Sequence, residues 1–135
     1  MERAKQVLLI LLLAGALAGC GWKNLDSEKE EALDFTVVKE EDLPEAVEEI
    51  LETKKAEPFQ MSYQSDGYLY LLQGYGQQNS GGFSIQVKKL AATEDAIYFS
   101  TELLGPQTKE QQKGGVSCPY LVVKTQYRDL PVVFE

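Results

Sequence analysis

Hydrophobic and polar positions follow three different rhythms along this chain, and each predicts a different kind of element. From Val7 to Gly19 every residue is apolar or small; a membrane-spanning helix needs roughly 20 apolar residues, and this run is shorter. Between residues 42 and 55, Leu43, Val47, Ile50 and Leu51 fall at i, i+4, i+7 and i+8, one face of an amphipathic α-helix. Asp42 is placed to cap it, with Glu45 three residues on and Pro44 in the first turn, and Lys54 and Lys55 suit the negative end of its dipole. Phe35 to Lys39 is rich in β-branched residues and reads as a short first strand.

Beyond Pro58 the period drops to two. Residues 59–63 alternate, and Gln64-Ser65-Asp66-Gly67 supplies a turn. Residues 68–75 are apolar on both faces, which predicts a central strand. Phe83, Ile85 and Val87 alternate with polar neighbours; Ile97, Phe99 and Thr101 oppose Tyr98, Ser100 and Glu102. Polar, glycine-bearing loops separate these runs at 76–82 and 105–115, and apolar segments at 120–125 and 130–134 close the chain. Short strands joined by turn residues predict an α+β, mostly β fold: an antiparallel sheet or sandwich-like domain with one amphipathic helix near its N-terminus. The helix is expected to cover a sheet or plug an open end.

Charge divides the chain in two. Residues 23–57 hold 13 acidic and 5 basic side chains, a net of −8, whereas residues 58–135 hold 7 and 6, a net of −1. Nucleic-acid binding relies on Lys and Arg neutralising phosphates, so nucleic acid is not an expected partner. Residues 21–34 show few apolar positions and no clear period, the composition of an acidic tether.

The N-terminal run explains what is tethered. Arg3 and Lys5 precede the apolar stretch, and small residues end it, the pattern of an export signal over residues 1–19. Leu17-Ala18-Gly19-Cys20 resembles the lipobox of bacterial lipoproteins. That resemblance implies lipidation of Cys20, cleavage before it, and a mature chain on the extracytoplasmic face of the cell membrane. The expected organisation is therefore signal 1–19, tether 20–34 and a β-rich domain over 35–135.

Candidate chemistry is sparse. The chain has no histidine, which removes Ser-His-Asp and Cys-His catalysis and the commonest ligand of catalytic zinc. With Cys20 acylated, Cys118 has no intrachain partner. The carboxylates of the β region, such as Asp66, Glu94 and Asp95, fall largely in turns rather than facing each other across a cleft. Gly74-Tyr75-Gly76 is an isolated G-x-G with no helix after it, better read as turn chemistry than as a phosphate cradle. No enzyme activity, metal or cofactor is expected.

One family resemblance links the loops. Asn79-Ser80-Gly81-Gly82-Phe83-Ser84-Ile85, then the polar loop with Pro106, then Cys118-Pro119-Tyr120-Leu121-Val122-Val123 and Pro131-Val132-Val133-Phe134, together resemble the C-terminal domain of the PrcB protease-complex lipoproteins. Ser80 and Phe83 stand where that family typically carries threonine and tyrosine. The resemblance spans about residues 68–135 and implies a non-enzymatic lipoprotein that binds and stabilises a surface protease. It makes Asn79, Ser80, Gly81, Gly82, Phe83, Pro119 and Tyr120 the candidate interaction residues. Gly81-Gly82 would let a partner's backbone approach closely, or would simply form a tight hairpin. Two other readings stand beside it: a lipoprotein that binds glycan or cell-wall material through exposed tyrosines, and a protease inhibitor presenting a glycine-containing hairpin.

Overall fold

The structure, a computed structural model, describes residues 29–135. The export signal, Cys20 and most of the tether lie outside the described residues. The compact unit is Glu31–Glu135. It holds two four-stranded sheets and one α-helix. Among the described residues no helix is long and apolar enough to cross a membrane.

The first sheet has the order β1-β5-β6-β8, built from Glu31–Ala32, Ser84–Ala92, Ile97–Leu104 and Val132–Phe134. The second has the order β2-β7-β4-β3, built from Thr36–Val37, Tyr120–Gln126, Tyr68–Tyr75 and Pro58–Ser65. Every pairing is antiparallel except β6 with β8, which is parallel. That parallel pair is a local exception within the antiparallel, sandwich-like architecture the sequence predicts. The chain leaves β7 at the bottom of one sheet and returns through residues 127–131, so β8 runs alongside β6 rather than against it.

Strand β4 shows why the centre of the fold was readable. Leu69 and Leu71 point into the space between the sheets, where they meet Leu90, Ala92, Ile97, Phe99, Leu121 and Val123. Tyr70 and Leu72 point the other way, toward Leu43, Val47 and Leu51 beneath helix α1, Glu45–Lys54. A strand lying between a sheet and a helix buries both faces, hence its unbroken apolar run. The helix covers a sheet; it does not plug an end.

Two boundaries moved for local reasons. The helix starts at Glu45, with Pro44 in the capping position and no side-chain cap; Asp42 ends a short 3-10 turn, Glu40–Asp42. Proline disfavours the helical region for the residue before it, and Leu43 is accordingly extended, at φ −69° and ψ 137°. Strand β3 runs on to Ser65, and the turn is only Asp66-Gly67, both at positive φ (53° and 80°). That is the two-residue primed turn favoured between twisted strands. The domain also begins earlier than residue 35: β1 pairs with Ala91 and Ala92, and Leu33 enters the core, although both fall within residues read from sequence as tether.

Candidate interaction surface

Both long loops cross from one sheet to the other at the same end of the sandwich. Residues 76–83 run from β4 to β5, and residues 105–119 return from β6 to β7. Their polar backbone groups need partners, and each loop supplies them for the other. Gln78 and Ser117 form a bridge, with Gln78 N–H to Ser117 O at 2.7 Å and Ser117 N–H to Gln78 O at 3.1 Å. The Ser117 hydroxyl donates to Ser80 O at 2.6 Å, and Gly81 N–H donates to Lys113 O at 3.3 Å. Beneath them the Tyr75 and Thr101 hydroxyls hydrogen-bond across the gap between the sheets. Residues 77–83 and 105–117 thus form one continuous surface.

The glycine pair is consumed by this arrangement. A Cβ on Gly81 would stand 2.6 Å from Lys113 O, and one on Gly82, at φ +85°, would overlap Gln111 O. The backbone that approaches Gly81-Gly82 is the protein's own second loop. Of the other candidates, Asn79 is exposed, and Ser80 and Phe83 are half-buried, with Phe83 beside Gly105. Pro119 O accepts the Tyr75 N–H at 3.1 Å, which fastens β7 to β4. Tyr120 points away from the loop surface, under the helix.

Tyr120 instead lines a cleft of about 340 Å³ with Leu43, Leu51, Glu40, Glu48, Glu52 and Lys55. Burial raises its phenol above the ordinary value, and the negative charge of Glu40 adds to the effect. The seven candidates therefore separate into a loop surface and one helix-side tyrosine.

Sequence reasoning passed over Val116, which is 62% exposed immediately before the Ser117 bridge. Its signal was a lone apolar residue between Gly114-Gly115 and Ser117 in an otherwise polar loop. It also passed over a second feature at the opposite end of the sandwich. There a cleft of about 380 Å³ is lined by Asp34, Phe35, Thr36, Tyr68, Lys124 and Gln126, among others. The Lys124 ammonium sits 4.0 Å from the Tyr68 ring centroid and 5.9 Å from that of Tyr70, within cation–π range. Phe35 and Tyr68 are each about two-fifths exposed.

Cys118 is a free, half-buried thiol. Among the described residues, no three His, Cys, Asp or Glu side chains gather as a metal site would require.

No curated protein and no solved structure matches this chain. A family model does match, over residues 69–126, and it is described as PrcB C-terminal. The match begins in β4 and ends with β7, so it takes in both long loops and the strands that frame them. The stretch of this chain that builds the joined loop surface is thus similar to the PrcB C-terminal family.

Proposed function

We propose that this protein is a non-enzymatic, lipid-anchored module of the cell envelope that holds or stabilises another exported protein, a surface protease being the first candidate. The observation that carries the reading is the joined loop surface inside the PrcB C-terminal-like segment. A loop pair that satisfies its own backbone is already ordered, so a partner need not meet the entropic cost of fixing it. Val116 supplies an apolar contact at that surface, and Asn79 an exposed amide. The chain enters the domain at β1, beside the β5–β6 turn and at the far end of β5 from the loops. Lipidation at Cys20 would fix the address without contributing to recognition.

Crosslinking followed by pull-down of the full chain tests this. A partner should be captured in near-stoichiometric amount by the parent and lost with Val116→Glu, while circular dichroism and melting temperature stay unchanged. Capture that is indifferent to Val116→Glu and Asn79→Arg would move the binding site elsewhere.

The cleft around Tyr68 and Lys124 favours a second reading, glycan or cell-wall binding, because aromatic rings beside a cation suit a sugar carrying a carboxylate. NMR titration with wall fragments should then shift Tyr68 and Phe35 resonances. Unmoved resonances there would remove this reading.

A further inference from the structure

Sheet edges are ready-made templates for further pairing, and proteins normally blunt them with short strands, charges, proline or bulges. Three of the four edge strands here follow that rule by length: β1 and β2 have two residues each and β8 has three. Where β5 and β6 run past their short neighbours, β5 carries a bulge between Val87 and Lys89, and Lys88 and Glu102 form an ion pair at 3.2 Å. The fourth edge, β3, is eight residues long, unbulged along its pairing with β4, and without a single charge: Pro58-Phe59-Gln60-Met61-Ser62-Tyr63-Gln64-Ser65.

The hydrogen-bond phase of that edge follows from its turn. In a two-residue primed hairpin the flanking pair, here Ser65 with Tyr68, is hydrogen-bonded, and bonded and non-bonded pairs then alternate. Tyr63, Met61 and Phe59 therefore bond inward to β4. Gln60, Ser62 and Gln64 aim their N–H and C=O groups outward, and their side chains are exposed. Pro58 falls in the outward set, where its missing N–H costs no ladder bond.

We propose that β3 is a self-recognition edge, through which two copies of this chain pair antiparallel about a twofold axis at Ser62. The strand is nearly palindromic about that residue. Ser62 meets Ser62 of the second copy, Gln60 meets Gln64, and Met61 meets Tyr63. Each outward N–H then faces an outward C=O, so every free donor from Gln60 to Gln64 is used. Shifting the centre to Gln60 would place Pro58, which has no N–H, opposite Ser62; shifting it to Gln64 would run Ser62 against the turn residue Asp66. The flanking Gln side chains can exchange amide hydrogen bonds, and the Met61–Tyr63 pairs give sulfur–aromatic contacts beside the existing Tyr63–Tyr70 pair. The product is one continuous eight-stranded sheet. The two loop surfaces lie at its opposite ends, so pairing leaves both free, and the inference does not depend on what those loops bind.

Cysteine crosslinking on the full-length chain, in a Cys118→Ser background, reads the register directly. Hydrogen-bonded antiparallel partners have Cα atoms about 5.5 Å apart, within disulfide range. Ser62→Cys should therefore give an oxidant-dependent dimer that the parent lacks. Gln60→Cys combined with Gln64→Cys should do so as well, whereas either of those changes alone places its thiols about 14 Å apart along the strands and should not. Ser62→Lys, which sets two ammonium groups opposite each other at an exposed site, should return a sedimenting dimer to monomer with unchanged far-UV circular dichroism, and should melt where the parent melts once the parent is diluted to monomer. Because Glu57 and Asp66 approach one another across this register, the dimer should strengthen with ionic strength. Absence of the Ser62→Cys crosslink, equal crosslinking by the single glutamine replacements, or a dimer that survives Ser62→Lys would each overturn the pairing. Monomer at all concentrations would overturn it too, and would make a strand of a different protein the occupant to test at β3.

Discussion

At the scale of single residues, two glycines with the same backbone conformation do different work. Gly82 and Gly114 have φ of +85° and +86°, but a Cβ on Gly114 meets nothing within 4 Å, whereas one on Gly82 overlaps the Gln111 carbonyl. Left-handed backbone alone costs an ordinary residue about 1–2 kcal/mol, so Gly114→Ala should lose about that much. Gly82→Ala carries the steric overlap as well and should lose about 3 kcal/mol. Urea denaturation of both variants checks the order; equal losses would mean that the second loop yields freely. Tyr120 makes a different prediction. Its phenol is raised by burial first and by Glu40 second, so the folded state holds a proton that the unfolded chain releases near pH 10. Stability is therefore full below pH 10 and falls as pH rises through the folded value. Tyr120→Phe removes that group, and its melting temperature should decline less steeply between pH 9.5 and 11 than the parent's.

At the scale of elements, β5 shows both what its residues disclose and what they hide. Ile85 and Val87 face the inter-sheet core, and so do Leu90 and Ala92, although the two pairs are out of phase for a regular strand. The bulge at Lys88 takes up the extra residue: Val87 pairs with Thr101 and Lys89 with Ser100. A one-residue slip exchanges the faces of a strand, and Lys88 is that one extra residue, so deleting it should bring Ile85, Val87, Leu90 and Ala92 into phase on the core face of a regular ladder. No large apolar side chain is then turned to solvent, a change that would cost about 1.5–3 kcal/mol for each against a total domain stability of about 5–15 kcal/mol. The deletion should stay folded, with a native-like near-UV circular dichroism spectrum, and a molten spectrum would show that the bulge itself is needed. Lys88→Ala keeps the bulge and breaks only an exposed ion pair with Glu102, about 0–1 kcal/mol. Alternation alone predicted β5 only as far as Lys88, because the doubled lysine conceals the phase change. Strand β4 was legible from end to end because burial on both faces leaves no phase to misread. The loop surface was legible as two glycine-bearing loops, but their mutual hydrogen bonds join residues as far apart as Ser80 and Ser117, and no local pattern encodes that contact.

At the scale of the whole molecule, the question is where the folded unit begins. Charge and composition placed the boundary at residue 35, since Glu30, Glu31 and Asp34 look like the rest of an acidic tether. In the fold, Glu31 and Ala32 pair with β5, the Leu33 N–H donates to Leu90 O at 3.0 Å, and the Leu33 side chain is 8% exposed. The Thr125 hydroxyl, itself buried, donates to Asp34 O at 2.7 Å. An exposed Arg128–Glu31 contact at 3.4 Å adds little at that exposure. A single apolar residue within a charged stretch gives no periodicity, so Leu33 was invisible as a core residue. A chain starting at residue 35 should therefore be less stable than one starting at residue 29, by about 2–5 kcal/mol, the range for removing a buried leucine side chain. Thr125→Val separates the two contributions, because it leaves Leu33 in place while depriving Asp34 O of its donor. In that variant, hydrogen exchange should quicken first at the Leu33 amide and at the β1–β5 ladder, with β4 and β7 unchanged. Equal stability of the two truncations would make residues 31–34 an appendage and return the boundary to residue 35.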